Sequence, residues 1–246
     1  MTRQLALGKL PAQLPYGVAY HDDYLVTRPP QPAAVVESPR VAAWGMDGND
    51  IIGDCVIAGS DHLILASDTQ LGQRDPVATT QQCSKEYFLQ TGGVDSGLVI
   101  SNNLQKWQTV GLFDNSNKIE AYAPIRLSSI LALHRAIDLY GFALGGVQLP
   151  ESAMVQFNHS PSLPWTVEKG SQIIGGHCIL FTGYNSTWLE LVTWGALHRC
   201  SYAWYETYCD EVWAVVSQEA VKAGHGPGNI LDLAALKADL SRLSVA

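Results

Sequence analysis

The chain has 246 residues, 47% of them hydrophobic and 15% charged, with five cysteines and a net charge of −8. That length supplies a sizeable core in one domain. The acidic balance and the lack of any basic run disfavour a nucleic-acid surface, and no apolar run reaches the roughly 18 residues that span a bilayer.

The first 40 residues read as a Pro-rich arm. Pro11, Pro15, Pro29, Pro30, Pro32 and Pro39 break every periodic pattern, so extended segments lying on a body are expected. Such an arm suits a docking strap, a cleft-covering pro-segment or plain surface packing. Met1–Lys9 runs straight into this stretch and carries no signal-peptide core. Trp44–Asn49 is a Gly-containing turn, and Asp54 is placed to cap a helix from Cys55 to Ser67. That helix is apolar almost all round, which predicts burial. Ser84–Gln90 and Asn102–Thr109 read as second and third helices, and Ser128-Ser129 caps a fourth over Ile130–Leu139.

From Gly141 the pattern turns to strands: Phe142–Leu149, Ile179–Tyr184, Leu189–Thr193 and Val212–Ser217. Helices first and strands second predicts an α+β arrangement of two segregated lobes. A Gly-Pro hinge at Gly224–Gly228 then precedes a last amphipathic helix, Ile230–Leu243, expected to pack on the body.

The chemistry centres on Cys55 and His177. A thiol reacts as its thiolate, and a helix N-terminus and a nearby imidazole both favour that form. Gly53-Asp54-Cys55-Val56 opens a helix, and Gly175-Gly176-His177-Cys178 stands at the expected start of a strand. A buried Cys is also an ordinary small hydrophobe, and a His before a strand is often only a polar end-cap. Asp54 opposes a thiolate unless its carboxylate turns away. His62, about 10 Å along the Cys55 helix by rise alone, reads as a core or surface histidine. Asn49 is either a donor to a developing oxyanion or a plain turn residue. Thr193, or a backbone carbonyl beside it, is the available partner for the second imidazole nitrogen. The five cysteines (Cys55, Cys83, Cys178, Cys200, Cys209) have no CxxC spacing, which argues against a metal site. Mostly free thiols are expected, a Cys200–Cys209 bridge is left open, and no cofactor is called for.

These residues resemble the papain-like cysteine peptidases, in chain order from about Pro39 to Ser217. Pro39-Arg40-Val41-Ala42-Ala43-Trp44 resembles that family's mature N-terminus. Gly176-His177-Cys178-Ile179-Leu180-Phe181-Thr182-Gly183-Tyr184-Asn185 resembles its His strand and turn, and Thr193-Trp194-Gly195 the end of its Asn-Ser-Trp-Gly segment. The resemblance implies a two-lobed fold, with a helical lobe carrying the nucleophile (about 41–127) and an antiparallel β lobe (about 128–218). Residues 1–40 then form the arm, and residues 219–246 the hinge and final helix.

It also implies acyl transfer or peptide hydrolysis by Cys55 and His177. Asn49 stands where the family has its oxyanion Gln, Thr193 near its catalytic Asn, and Trp194 shields the imidazole contact. In direct alignment the family's Asn falls on Val192. Peptide or protein substrates follow, without nucleic acid or membrane.

The motif set Trp44-Gly45-Met46, Asn49-Asp50, Gly53-Asp54-Cys55-Val56, Gly175-Gly176-His177 and Val192-Thr193-Trp194-Gly195 is similar to papain-like proteins of tailed phages and prophages. That implies a host-cytoplasmic or virion setting with other phage proteins as partners. The competing expectation is a catalytically inactive structural or interaction protein of the particle on the same fold. Small cell-wall endopeptidases and bacteriocin-processing domains place their His much closer to the Cys. Transglutaminase-like folds want an Asp after the His strand, where this chain has only Glu190 within the strand that follows.

Overall fold

A computed structural model of the protein describes residues 5–36, 41–72, 78–114, 116–160 and 162–243. Pro39 and Arg40 of the motif above lie outside them. Helix α1 spans Cys55–Gln70, and its residues from Cys55 to Leu63 are all buried, as an apolar helix requires. Helix α2, Thr80–Thr91, starts earlier than expected because Thr79 and Gln82 close a capping box. Helix α3 is Ile100–Thr109. Helix α4, Ile130–Tyr140, is capped by the Ser129 hydroxyl and ends at Gly141 in the left-handed region.

A short strand β1 (Val35–Val36) pairs with β4, and strand β2 (Ile119–Pro124) pairs with β7. Strand β3 is Ala143–Pro150, β4 Ile173–Tyr184, β5 Trp188–Thr193, β6 Ala196–Ser201 and β7 Cys209–Ser217. All pairings are antiparallel, in the order β2-β7-β3-β4-β5-β6. Helices α5 (Glu151–His159), α6 (Tyr202–Tyr208) and α7 (Gln218–Lys222) fill the connections. Helix α8, Leu233–Leu243, buries Leu236 and Leu240 and packs against β2. All five cysteines are unpaired. Among the described residues no helix is long and apolar enough to cross a membrane.

The sheet separates two cores by side-chain alternation. Leu144, Cys178, Leu180, Val192, Trp213 and Val215 face one core with α1 and α3. Ala143, Val147, Ile179, Phe181, Leu191 and Ala214 face the other with α4, α5 and α6. Two expectations need correction. His177 is not at the start of a strand: β4 begins at Ile173, because pairing with β3 continues through Gly175 and Gly176. Asp54 occupies the N-cap position, but its side chain makes no cap hydrogen bond; its carboxyl turns towards Gly48 instead.

Helix α1 crosses close to β3 and β4, and Gly59 marks the closest approach. A Cβ there would lie 3.0 Å from Cys178 Sγ and 3.1 Å from Leu144 Cδ1. Gly59→Val is therefore expected to overpack this contact and cost about 1–3 kcal/mol in denaturant unfolding, with Gly59→Ala milder.

Candidate functional site

Cys55 is the first residue of α1 and is 1% exposed. Its thiol lies beside the backbone amides of Cys178, Gly8 and Lys9. His177, also 1% exposed, is on β4 one residue before Cys178. His177 Nε2 is 2.8 Å from Thr193 Oγ1 at the end of β5, while Nδ1 has no hydrogen-bond partner. Trp194 covers the imidazole, with ring centroids 4.3 Å apart and planes within 18°. That placement uses a turn in which Trp194 itself has φ 42°, a conformation costly for a bulky residue. Val192 points into the core with α1, so the β5 side chain beside His177 is the Thr193 hydroxyl.

Residues 5–10 of the arm run through this site. Lys9 N–H donates to Gly176 O at 3.1 Å. Leu98 grips the residues on either side of Lys9: its N–H donates to Gly8 O at 2.8 Å, and its carbonyl accepts from Leu10 at 2.9 Å. Ala6 N–H donates to Asn49 O, and Ala6 O faces Asn49 Nδ2 at 3.4 Å and Trp194 Nε1 at 3.3 Å. Glycines make room. A Cβ on Gly8 would sit 1.8 Å from Gly53 O, and one on Gly176 2.1 Å from Lys9 O. Asp95 fixes the facing loops, accepting from Gly53 N–H at 3.0 Å and from the Tyr87 hydroxyl at 2.6 Å. The thiol thus lies near the Gly8 and Lys9 amides of the arm, of which the Lys9 N–H is given to Gly176 O. The carbonyls of Ala6 and Gly8 are engaged by Asn49, Trp194 and Leu98.

Burial sets the electrostatics. It pushes the Cys55 thiol up to about 12, offset in part by the neighbouring amides and reinforced by Asp54. It pushes His177 down to about 3, with His62 adding to the effect. With the arm in place the pair rests as neutral thiol and neutral imidazole. His62 is held elsewhere, with Nε2 2.8 Å from Gly45 O and 3.2 Å from Asp47 Oδ2, and Trp44 edge-on to its ring.

Sequence reasoning left one feature open and passed over a second. The first is the arm, for which covering the cleft stood as one of three alternatives and whose path is described above. The second is a buried acidic group behind α1. Among the described residues, Asp47, Asp61 and Cys83 form the one group of three whose metal-ligating atoms all lie within 4.8 Å of one another. Spacing did not reveal it because the three come from a loop, α1 and α2. Burial and the neighbouring carboxylates raise Asp61 to about 7 and Asp54 to about 8.

The chain shares its fold with solved cysteine proteases. Xylellain, a cysteine protease from Xylella fastidiosa, superposes with a TM-score of 0.65 at 14% identity, covering 88% of this chain and 98% of that one. A procathepsin B from Trypanosoma congolense gives 0.61 at 11%, covering 87% of each chain. Procathepsin L 3 from the larval midgut of Tenebrio molitor gives 0.59 at 12%, covering 87% of this chain and 76% of that one. No family model and no curated protein matches the chain in sequence. The fold is papain-like, with α1 corresponding to the nucleophile helix.

The raised carboxyls predict a pH effect on stability. An unfolded Asp releases its proton near pH 4, whereas folded Asp61 and Asp54 hold theirs to about 7 and 8. The folded state therefore binds the extra protons across that window, and these two groups cost stability as pH rises through it. His177 acts in the opposite sense, losing stability as pH falls below about 6.5. Asp61→Asn and Asp54→Asn are expected to gain melting temperature relative to the parent chain on going from pH 5 to pH 8. Parallel curves would contradict the assignment.

Proposed function

We propose that the chain is a cysteine peptidase or related acyl-transfer enzyme, held at rest by its own arm. The observation that carries this reading is the His177 environment. Nε2 is engaged by Thr193, one ring face is covered by Trp194, and Nδ1 is left without a partner on the strand whose next amide touches the Cys55 thiol.

With a substrate in place of the arm, His177 Nδ1 takes the thiol proton and Cys55 Sγ attacks the acyl carbon. The Cys55 N–H, at the positive end of α1, and Asn49 Nδ2 hold the oxyanion. The bond to the leaving nitrogen breaks as His177 returns the proton to it, leaving an acyl–Cys55 thioester. Water, deprotonated by the same imidazole, then hydrolyses that thioester. Thr193 holds the ring by accepting its Nε2–H, and Trp194 screens that bond from water.

The arm blocks this sequence by filling the cleft with N–H groups opposite the thiol. Iodoacetamide alkylation of Cys55, read by peptide mass, is expected to be slow and pH-insensitive below pH 9 in the parent chain. Lys9→Glu, which places a third carboxylate beside Asp210 and Glu211, expels the arm. Its Cys55 should then react at a plateau reaching well below the free-thiol range near 8.5, and His177→Ala in that background should abolish the plateau. An ordinary thiol profile in Lys9→Glu, unchanged by His177→Ala, would overturn the reading.

A non-catalytic role in a phage particle is the second reading. It is supported by the short motifs around Cys55 and His177 and by the exposure of Leu14, Tyr16 and Val26 on the arm.

A further inference from the structure

The Lys9 side chain anchors the arm to two acids. Its Nζ lies 2.8 and 2.7 Å from the two Asp210 carboxylate oxygens and 3.1 Å from Glu211 Oε1, with the side chains of Lys9 and Glu211 fully buried. Both acids sit at the start of β7. Gln148 donates to Asp210 Oδ2, and the Trp213 indole N–H donates to Glu211 Oε2. Each acid is thus held by a second partner that leaves an oxygen free for the ammonium. Gly146 forms the floor between them. A Cβ there would lie 2.3 Å from Lys9 Cε and 2.6 Å from Glu211 Cγ, so the pocket is open only because this position has no side chain. Gly146 pairs across the sheet with Cys178 on one side and Glu211 on the other, which puts the pocket next to the residue after His177.

The main chain around Lys9 is held by Gly176 and Leu98 through backbone groups alone. Such bonds fit any peptide, so discrimination between peptides falls to the side-chain pocket. A buried carboxylate stripped of its cation is strongly unfavourable, and an apolar occupant would leave Glu211 in that state.

We propose that this pocket selects a lysine side chain in the peptides the cleft takes, and that Lys9 is its built-in occupant. Asp210 and Glu211 are the specificity determinants and Gly146 the opening. The inference rests on the reading of the cleft as a peptide-binding site, and it does not require that the bound peptide be cleaved.

The test is equilibrium binding to the full-length Lys9→Glu chain, in which the pocket is vacated. The probes are fluorescent hexapeptides carrying the arm sequence Leu-Ala-Leu-Gly-Lys-Leu and its versions with norleucine or glutamate in place of lysine. Norleucine keeps the hydrocarbon and removes only the charge. The lysine peptide is expected to bind at least about tenfold more tightly than norleucine, and glutamate more weakly still.

Adding Glu211→Gln, and separately Asp210→Asn at the partly exposed neighbour, should each shrink the lysine preference. Asp210→Asn covers the case in which Glu211→Gln fails to fold. Equal binding of the lysine and norleucine peptides, or no binding of either, overturns the proposal. Hydrolysis is scored separately on the same samples. Selective binding without hydrolysis would leave the pocket standing, because the arm sequence meets the thiol with N–H groups rather than a carbonyl. Hydrolysis without lysine preference would overturn the pocket and leave the peptidase reading standing.

Discussion

The close crossing of α1 over β3 and β4 at Gly59 is the constraint on which the site depends. Glycine inside a helix costs about 1 kcal/mol against alanine, and here it sits one turn after Cys55, facing Cys178 and Leu144. Because that helix face carries no side chain, the N-terminus of α1 drops onto β4 and sets the Cys55 thiol against the Cys178 amide. Strand register does the rest. Alternation along β4 sends Cys178 to the α1 side, and the pairing of β4 with β5 brings the end of β5 alongside His177.

A second theme is how dry the centre is. Cys55, His177, Thr193, Asn49 and Asp54 are all 2% exposed or less. In such surroundings the neutral form of each titratable group wins unless a partner of opposite charge stands close. Lys9 has two such partners, and their attraction outweighs the burial penalty, keeping the ammonium charged. His177 has none, and burial holds it neutral. The same physical rule therefore gives an ion pair at Lys9 and a neutral thiol and imidazole at Cys55 and His177.

Much of this organisation is legible in the residues. The apolar run from Cys55 predicts a buried helix, Ser129 marks the start of α4, and the helix-then-strand order gives the α+β class. Elements lacking a clean period were harder to read. Helix α6, Tyr202–Tyr208, is rich in aromatic residues that carry weak helix preference, and the edge strand β6 turns Leu197 outward and His198 inward, so its hydropathy does not follow its burial. Strand β2 lies between helices in sequence but joins the sheet beside β7, a pairing set by tertiary contact.

At the site, the approach of Lys9 to Asp210 spans 201 positions, and no local pattern announces it. The path of residues 5–10 is equally hidden, because backbone groups hold it and every residue carries those. The cluster of Asp47, Asp61 and Cys83 shows the same limit: each residue looks ordinary in its own segment.

The arm differs from a diffusing ligand in being covalently joined to its receptor. Its local concentration at the cleft is fixed by the length of chain between Leu10 and the next anchored stretch at Tyr24–Val26, so diluting the protein leaves it seated. On the proposed function, an external peptide would compete with that constant intramolecular concentration, whatever its own affinity. A protein that captures the segment following Leu10 would change this balance from a distance, by pulling on the tether and touching nothing in the cleft.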